Sequence, residues 1–163
     1  MPFLLVVIFS CAPKTEFIKP IDSDGSGIIV GSITREVLFK EIPEWELGIK
    51  YYKPDQATMD SLKNITKDLS VDIFLGTWCG DSRREVPHFF KIVDELNIKL
   101  FNEIHLWAVD RNKKLPDSNL AEEKNIKYVA TFIIYEADDE LGRIVEQPKS
   151  TLESDILKII TEN

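Results

Sequence analysis

The sequence predicts an α/β domain: a central mixed β-sheet flanked by helices on both faces. Three observations carry this. Val71 to Leu75 and Ile104 to Val109 are short apolar runs bounded by polar or turn residues, as strands buried on both faces read. Between them, Val86, Phe89 or Phe90, Val93 and Leu96 recur at helical spacing and form one apolar stripe. Tyr128 to Tyr135 is a third apolar run, followed by a turn at Glu136 to Gly142 and a returning strand at Arg143 to Glu146. The chain therefore opens as strand, helix, strand and closes with a hairpin and a helix, which is the grammar of one mixed sheet.

Length and composition agree with that class. A chain of 163 residues with 44% hydrophobic residues, 8 prolines, 7 glycines and 2 cysteines is neither disordered, collagen-like nor a disulfide-stapled miniprotein. One domain of that size buries about 68–70% of the surface its unfolded chain exposes. The 20 basic and 28 acidic side chains leave a net charge of −8, which argues against a nucleic-acid partner, since that would require a basic footprint.

The elements follow in order. Phe3 to Phe9 is an apolar run of seven, far short of the roughly 20 residues that span a bilayer. It fits the apolar region of an export signal. With Ser10, Cys11 and the polar Ala12-Pro13-Lys14 after it, the segment resembles the lipobox of bacterial lipoproteins. That resemblance implies a signal peptide over residues 1–10, cleavage before Cys11 and a diacylglycerol on its thiol. No Lys or Arg precedes the run, and Phe9 is large for its place. A plain secretory signal and a buried first strand with Cys11 as an ordinary thiol are the other readings. Residues 11–27 are read as a linker and entry turn. A calcium loop starting at Asp22 would need glutamate where Ile33 stands, so Asp22 to Gly27 is read as a turn.

Ile28 to Phe39 carries β-formers and is expected to give one or two short strands, broken by Ile42-Pro43-Glu44-Trp45. Trp45, Tyr51 and Tyr52 are expected to cover a sheet edge or pack on the core. Lys53-Pro54-Asp55 starts a helix with Met59, Leu62, Ile65 and Leu69 on one stripe. After the strand to Leu75, Thr77 to Ser82 opens the helix that contains Pro87, where a kink is expected. Ile104 to Val109 is expected to be central. Asp110 to Ser118 is a polar loop, with Lys113-Lys114 read as solvated. Asn119 and Glu122 are spaced as a capping box for a short helix to Lys124. Ser150 to Glu153 caps a final helix whose Leu152, Ile156, Ile159 and Ile160 face the sheet.

Chemistry concentrates where the Val71 to Leu75 strand meets its helix. Cys79 stands at the helix start, where unpaired backbone N–H groups favour an anion and raise the nucleophilicity of a thiol. Arg83 and Arg84 would assist by folding back, and Asp81 would oppose. Trp78 offers a flat apolar wall to a docking partner. The bland reading makes Cys79 an inert core filler, but strand ends in α/β sheets are where ligands meet backbone donors. His88 and His105 form no paired ligand motif, so no metal is expected. Phe74, Phe89, Phe90, Phe101 and Trp107 are read as core.

Phe74-Leu75-Gly76-Thr77-Trp78-Cys79-Gly80-Asp81-Ser82 resembles the active-site segment of the thioredoxin superfamily. The resemblance implies a thioredoxin-like fold over residues 28–163, with Cys79 as the attacking cysteine, Ser82 in place of the resolving one and Pro87 as the helix-kinking proline. The longer run Trp78 to Pro87 resembles thioredoxin-like lipoproteins and exported proteins of Bacteroidetes-type bacteria. Ala130, in Val129-Ala130-Thr131, occupies the place of the family's cis-proline. A trans bond is expected there unless packing enforces cis, because cis costs about 2.5–4 kcal/mol before a residue other than proline. Ile73 occupies the place of the family's proton-relaying acid, and Asp72, one residue off, belongs to the opposite face.

These residues imply a monothiol thiol–disulfide oxidoreductase or isomerase of the cell envelope, with Cys79 and Ser82 catalytic and the Ser82 hydroxyl donating to the Cys79 sulfur. Trp78, Gly80, Val129, Ala130 and Thr131 would bind substrate. Protein or peptide disulfides and a low-molecular-weight thiol would be the partners, with membrane attachment through Cys11 and no cofactor. The expected location is a lipoprotein facing the periplasm, or else a soluble periplasmic protein. The rival class is a catalytically inactive thioredoxin-like module that binds peptides or proteins. Peroxide chemistry lacks its usual arrangement, since Thr77 is only two residues before Cys79.

Overall fold

The computed structural model describes residues 27–97, 99–116 and 118–162. The expected signal peptide, Cys11, nearly all of the linker and the calcium-loop candidate lie outside the described residues. Five strands form one sheet in the order β1-β3-β2-β4-β5: β1 Gly31–Ile33, β2 Leu69–Leu75, β3 Phe101–Ala108, β4 Thr131–Glu136 and β5 Asp139–Val145. Only β2 and β3 run parallel; every other pair is antiparallel. The hairpin β4–β5 supplies one edge, as expected.

The central strand is β2, not the 104–109 run. Val71, Ile73, Phe74 and Leu75 are fully buried. β3 lies between β2 and the short β1, and its Glu103 and His105 are exposed. The parallel register pairs Leu75 with Ala108, so both strands end at the same edge of the sheet. That brings the segment after Leu75 beside the segment after Ala108.

The 28–39 run gives one short strand, and its second half is corrected to helix. Only Gly31–Ile33 is strand, and α1 occupies Arg35–Glu41. Thr34 is its N-cap, accepting from the Val37 N–H at 3.3 Å, with Glu36 in the first turn and Lys40 in the last. The cap and the charges that oppose the helix dipole outweigh the β-preference of the apolar residues between them. The expected break becomes a 3₁₀ turn at Pro43–Trp45 that runs into α2, Glu46–Tyr51. Trp45 is buried, Tyr52 half-buried and Tyr51 exposed. Helix α3, Gln56–Leu62, stops short of Ile65, and Leu69 belongs to β2. The Asn64 side-chain amide donates back to the Asp60 carbonyl at 2.9 Å and competes with helix continuation. α4 spans Gly80–Leu96 with Pro87 inside, and buries Val86, Phe89, Phe90, Ile92 and Leu96. α5 is only Leu120–Glu123, and the expected capping box is absent. Ser118 Oγ accepts from the Leu120 N–H at 3.2 Å, and the Asn119 side chain makes no cap bond. β4 begins at Thr131, because residues 128–130 are loop. α6, Leu152–Thr161, is capped by Thr151 and buries Leu152, Ile156 and Ile160.

The two sheet faces carry separate cores. Helices α1 to α4 and α6 cover one face, where Phe89 meets Phe90, Phe101 and Phe132 with ring centroids 5.5–5.7 Å apart. α2 approaches α4 closely: a Cβ on Gly48 would lie 2.6 Å from the Pro87 Cβ. The other face is covered by α5 and its flanking loops, over Phe74, Val109, Leu115, Ile126, Val129 and Ile133.

Two polar clusters sit within this frame. Glu153, 1% exposed, accepts from the Tyr52 hydroxyl at 2.6 Å and the Asp55 N–H at 2.9 Å, tying α6 to the start of α3. Burial pushes the Glu153 carboxyl up, but these bonds outweigh it and hold it below the usual glutamate value. Tyr52 also stacks on His88 at 3.8 Å, which gives His88 a packing role. On the opposite face, Asp72 accepts from His105 Nδ1 at 3.0 Å and Trp107 Nε1 at 3.2 Å. That hydrogen bond raises His105 above the ordinary imidazole value. Asp72 thus lies opposite the buried Ile73, as alternation along the strand requires.

Candidate functional site

The candidate site is the turn between β2 and α4. Gly76 to Cys79 closes through the Cys79 N–H donating to the Gly76 carbonyl at 2.9 Å. Cys79 is the N-cap of α4, in extended conformation, and its carbonyl accepts from the Arg83 N–H at 3.0 Å. Cys79 is half-buried against the core over Phe74 and Val129, and its thiol donates to the Val129 carbonyl at 3.0 Å. Cys79 is therefore not sealed in the core. The thiol sits at the mouth of a 17-residue helix whose first N–H groups have no intrahelical acceptor.

Ser82 lies directly beneath. It has no exposed surface, and its Oγ accepts from the Gly76 N–H at 3.1 Å, pinning the turn to the first turn of α4. The expected bond from Ser82 to the Cys79 sulfur is replaced by these two contacts, because the Gly76 amide lies within reach and the thiol has turned to Val129. Thr77 Oγ1 accepts from the Ile29 N–H at 3.2 Å and anchors the turn to the chain entering β1. The Trp78 ring covers Gly76, where a Cβ would lie 2.7 Å from the indole, so only glycine fits beneath it. Trp78 Nε1–H donates to the Val109 carbonyl at 3.1 Å, which fixes the ring across the ends of β2 and β3.

The loop 128–131 completes the site. The Val129–Ala130 peptide bond is cis, which corrects the trans expectation. Tertiary packing decides the isomer here. Ala130 has no exposed surface and its carbonyl accepts from the Glu146 N–H at 2.7 Å, while Thr131 Oγ1 donates to the Tyr128 carbonyl at 2.8 Å. Of the residues expected to bind substrate, Trp78 and Val129 meet at Cys79. Gly80 is exposed at the first turn of α4, whereas the side chains of Val129, Ala130 and Thr131 are buried, so Val129 meets Cys79 through its carbonyl.

The arginines do not fold back on the thiol. Arg84 pairs with Asp81 at 2.7 Å and with the buried Glu85 at 2.6 Å, and Arg83 reaches Glu44 at 3.5 Å. The charge that Asp81 would place near Cys79 is thereby compensated by Arg84. The cations that do face the site come from the loop after β3. The Arg111 guanidinium lies 5.4 Å from the Trp78 ring centroid, and Lys113 Nζ 5.8 Å. Lys113, read from sequence as part of a solvated loop, is thus part of the site wall. The signal for it was available: two parallel strands ending at one edge place their following loops side by side. Tyr128, beside Val129, is 54% exposed. Among the described residues, no three His, Cys, Asp or Glu side chains converge on a metal-sized site. Among the same residues, no helix is long and apolar enough to cross a membrane.

No family model matches the chain. Thioredoxin H2 of Arabidopsis thaliana is 30% identical to it over 104 residues, which span 64% of this chain and 71% of that protein. A crystal structure of a protein of unknown function from Pseudomonas aeruginosa superposes with a TM-score of 0.54 at 15% identity, over 74% of this chain and 82% of the other. A thioredoxin from Nicotiana alata is 25% identical, with a TM-score of 0.41 over 64% of this chain and 84% of that one. A mixed five-stranded sheet, a cysteine capping the helix that follows its central strand, and a relative of this identity and coverage lead to one assignment: the chain belongs to the thioredoxin-like superfamily.

Proposed function

We propose that this protein is a monothiol thiol–disulfide oxidoreductase or isomerase that works through Cys79. One observation carries the reading: Cys79, half-buried, stands at the N-cap position of α4, and the position one turn on is a buried serine. In the first step the Cys79 sulfur attacks one sulfur of a substrate disulfide. The substrate S–S bond breaks, a Cys79–substrate disulfide forms, and the other substrate sulfur leaves as a thiolate. Ser82 has no sulfur to attack the adduct. A second thiol must therefore release Cys79, and it takes over the bond to the substrate sulfur. If that thiol belongs to the substrate, the outcome is isomerisation with no net redox change. If it is a free low-molecular-weight thiol, a mixed disulfide of that thiol and the substrate is released. Trp78 and the backbone of the 128–129 segment form the docking wall, and the Val129 carbonyl holds the resting thiol.

The test is the reactivation of a disulfide-scrambled protein in the presence of a small thiol. The full-length chain should accelerate recovery, and Cys79→Ser should return it to the uncatalysed rate. A wild-type rate equal to that of the small thiol alone, together with retained capture of the unfolded substrate, would instead establish a peptide-binding module. The proposal extends to location: residues 1–10 act as an export signal, residues 11–27 form a tether, and Cys11 is acylated at the cell envelope, facing the periplasm. An N-terminal peptide of envelope-extracted protein should begin at Cys11 and carry the acyl mass. An intact Met1 with an unmodified Cys11 would remove the anchor from this account.

A further inference from the structure

The loop after β3 is built to hold two cations over the indole beside the thiol. Asp110 Oδ1 accepts from the Asn112 and Lys114 N–H groups, both at 2.8 Å, and the Asp110 N–H donates to the Lys114 carbonyl at 3.1 Å. Lys113 closes the loop with φ of 61°, in the left-handed region where glycine fits more easily. Arg111 and Lys113 both face the Trp78 ring, and neither forms an ion pair with a carboxylate among the described residues. Among the described residues, three neighbouring acids are engaged elsewhere. Asp81 is taken by Arg84 at 2.7 Å, Glu122 by Lys114 at 3.8 Å, and Asp110 by its own loop. In a chain of net charge −8, two cations with no carboxylate partner among the described residues thus stand over the indole of Trp78, the residue before Cys79.

We infer that the site selects disulfides bearing carboxylates close to the sulfur, with Arg111 and Lys113 as the residues that recognise them. The inference rests on the Cys79 reading above and narrows its substrate class to anionic low-molecular-weight disulfides. Attack transfers one carboxylated sulfur to Cys79 and releases the other as a free thiolate. Cations held against an aromatic face keep their charge available to a ligand on the other side. Their field at a few ångströms from a carboxylate is worth about three- to tenfold in rate per charge at a solvated surface, and salt screens it.

The measurement is the second-order rate of mixed-disulfide formation by the full-length Cys11→Ser chain, in which Cys79 is the sole thiol. Three probes differ in charge: dithiodipropionate (dianionic), 2-hydroxyethyl disulfide (neutral) and cystamine (dicationic). Leaving-group differences cancel when each probe is compared between this chain and one also carrying Arg111→Gln and Lys113→Gln. The double substitution should slow the dianionic probe by about ten- to a hundredfold, leave the neutral one within about twofold and speed the cationic one. Raising salt to about 0.5 M should shrink the contrast. Equal changes for all three probes, or none, overturn the charge selection while leaving the Cys79 chemistry intact. Failure of the parent chain to react even with the neutral probe sinks the Cys79 reading, and this inference with it.

Discussion

Ser82→Cys is expected to convert a long-lived mixed disulfide into one that resolves within the chain. Residues 79 and 82 lie one helical turn apart at the start of α4, a spacing that places both on one face of the helix. An internal thiol held there competes at an effective concentration far above any millimolar external thiol. The adduct lifetime at fixed external thiol should fall by about a hundredfold or more. Alongside, an intramolecular disulfide between the two sulfurs should accumulate. The substitution also trades the Ser82 Oγ acceptor for a weaker one at the Gly76 N–H, a cost of about 1 kcal/mol that the fold should absorb. Quenched mass spectrometry reads both quantities. An unchanged lifetime with no internal disulfide would mean that position 82 cannot reach the thiol, and the comparison with a resolving cysteine would lose its meaning.

Phe89→Ala is expected to produce the largest loss of stability of any single side-chain truncation in α4. The ring has no exposed surface and touches Phe90 in its own helix, Phe101 at the start of β3 and Phe132 in β4. It therefore joins the helix that carries Cys79 to two strands of the sheet. Removing it deletes a large apolar group and leaves a cavity that three rigid rings cannot fill, at about 3–5 kcal/mol. Against a total stability of roughly 5–15 kcal/mol, that is a major fraction. Urea unfolding followed by tryptophan fluorescence gives the value. A loss below about 1 kcal/mol would show that α4 is held to the sheet by other contacts.

The parts of the fold that sequence made legible are those where one physical signal dominates. β2 and α4 were readable because Ile73, Phe74 and Leu75 form an uninterrupted buried run, and Val86, Phe89 and Leu96 keep helical spacing. Helix α1 was not legible, because the apolar residues of 35–41 suit strand and helix equally. What decided was the Thr34 cap and the packing of Leu38, Phe39 and Trp45 onto the core. Cys79 and Trp78 were legible from the strand-to-helix junction. The cis bond at Val129–Ala130 was not, because burial of Ala130 and the Glu146 N–H bond to its carbonyl are tertiary facts. Nor was the fate of Arg83 and Arg84, whose partners include Glu44, 39 residues from Arg83 in sequence. Arg111 and Lys113 were overlooked because a polar loop rich in lysine ordinarily means only solvent contact. Their place follows once the parallel pairing of β2 and β3 is known.

The central claim is that the Cys79 sulfur attacks disulfides from the open end of α4. The measurement that tests it most directly is mass spectrometry of the full-length Cys11→Ser chain after incubation with 2-hydroxyethyl disulfide at neutral pH, with and without Cys79→Ser. The account predicts a single adduct of one mercaptoethanol moiety that is reversed by added thiol and absent from the Cys79→Ser chain. No adduct on the folded protein, with the same cysteine modified once the chain is unfolded in urea, would contradict it.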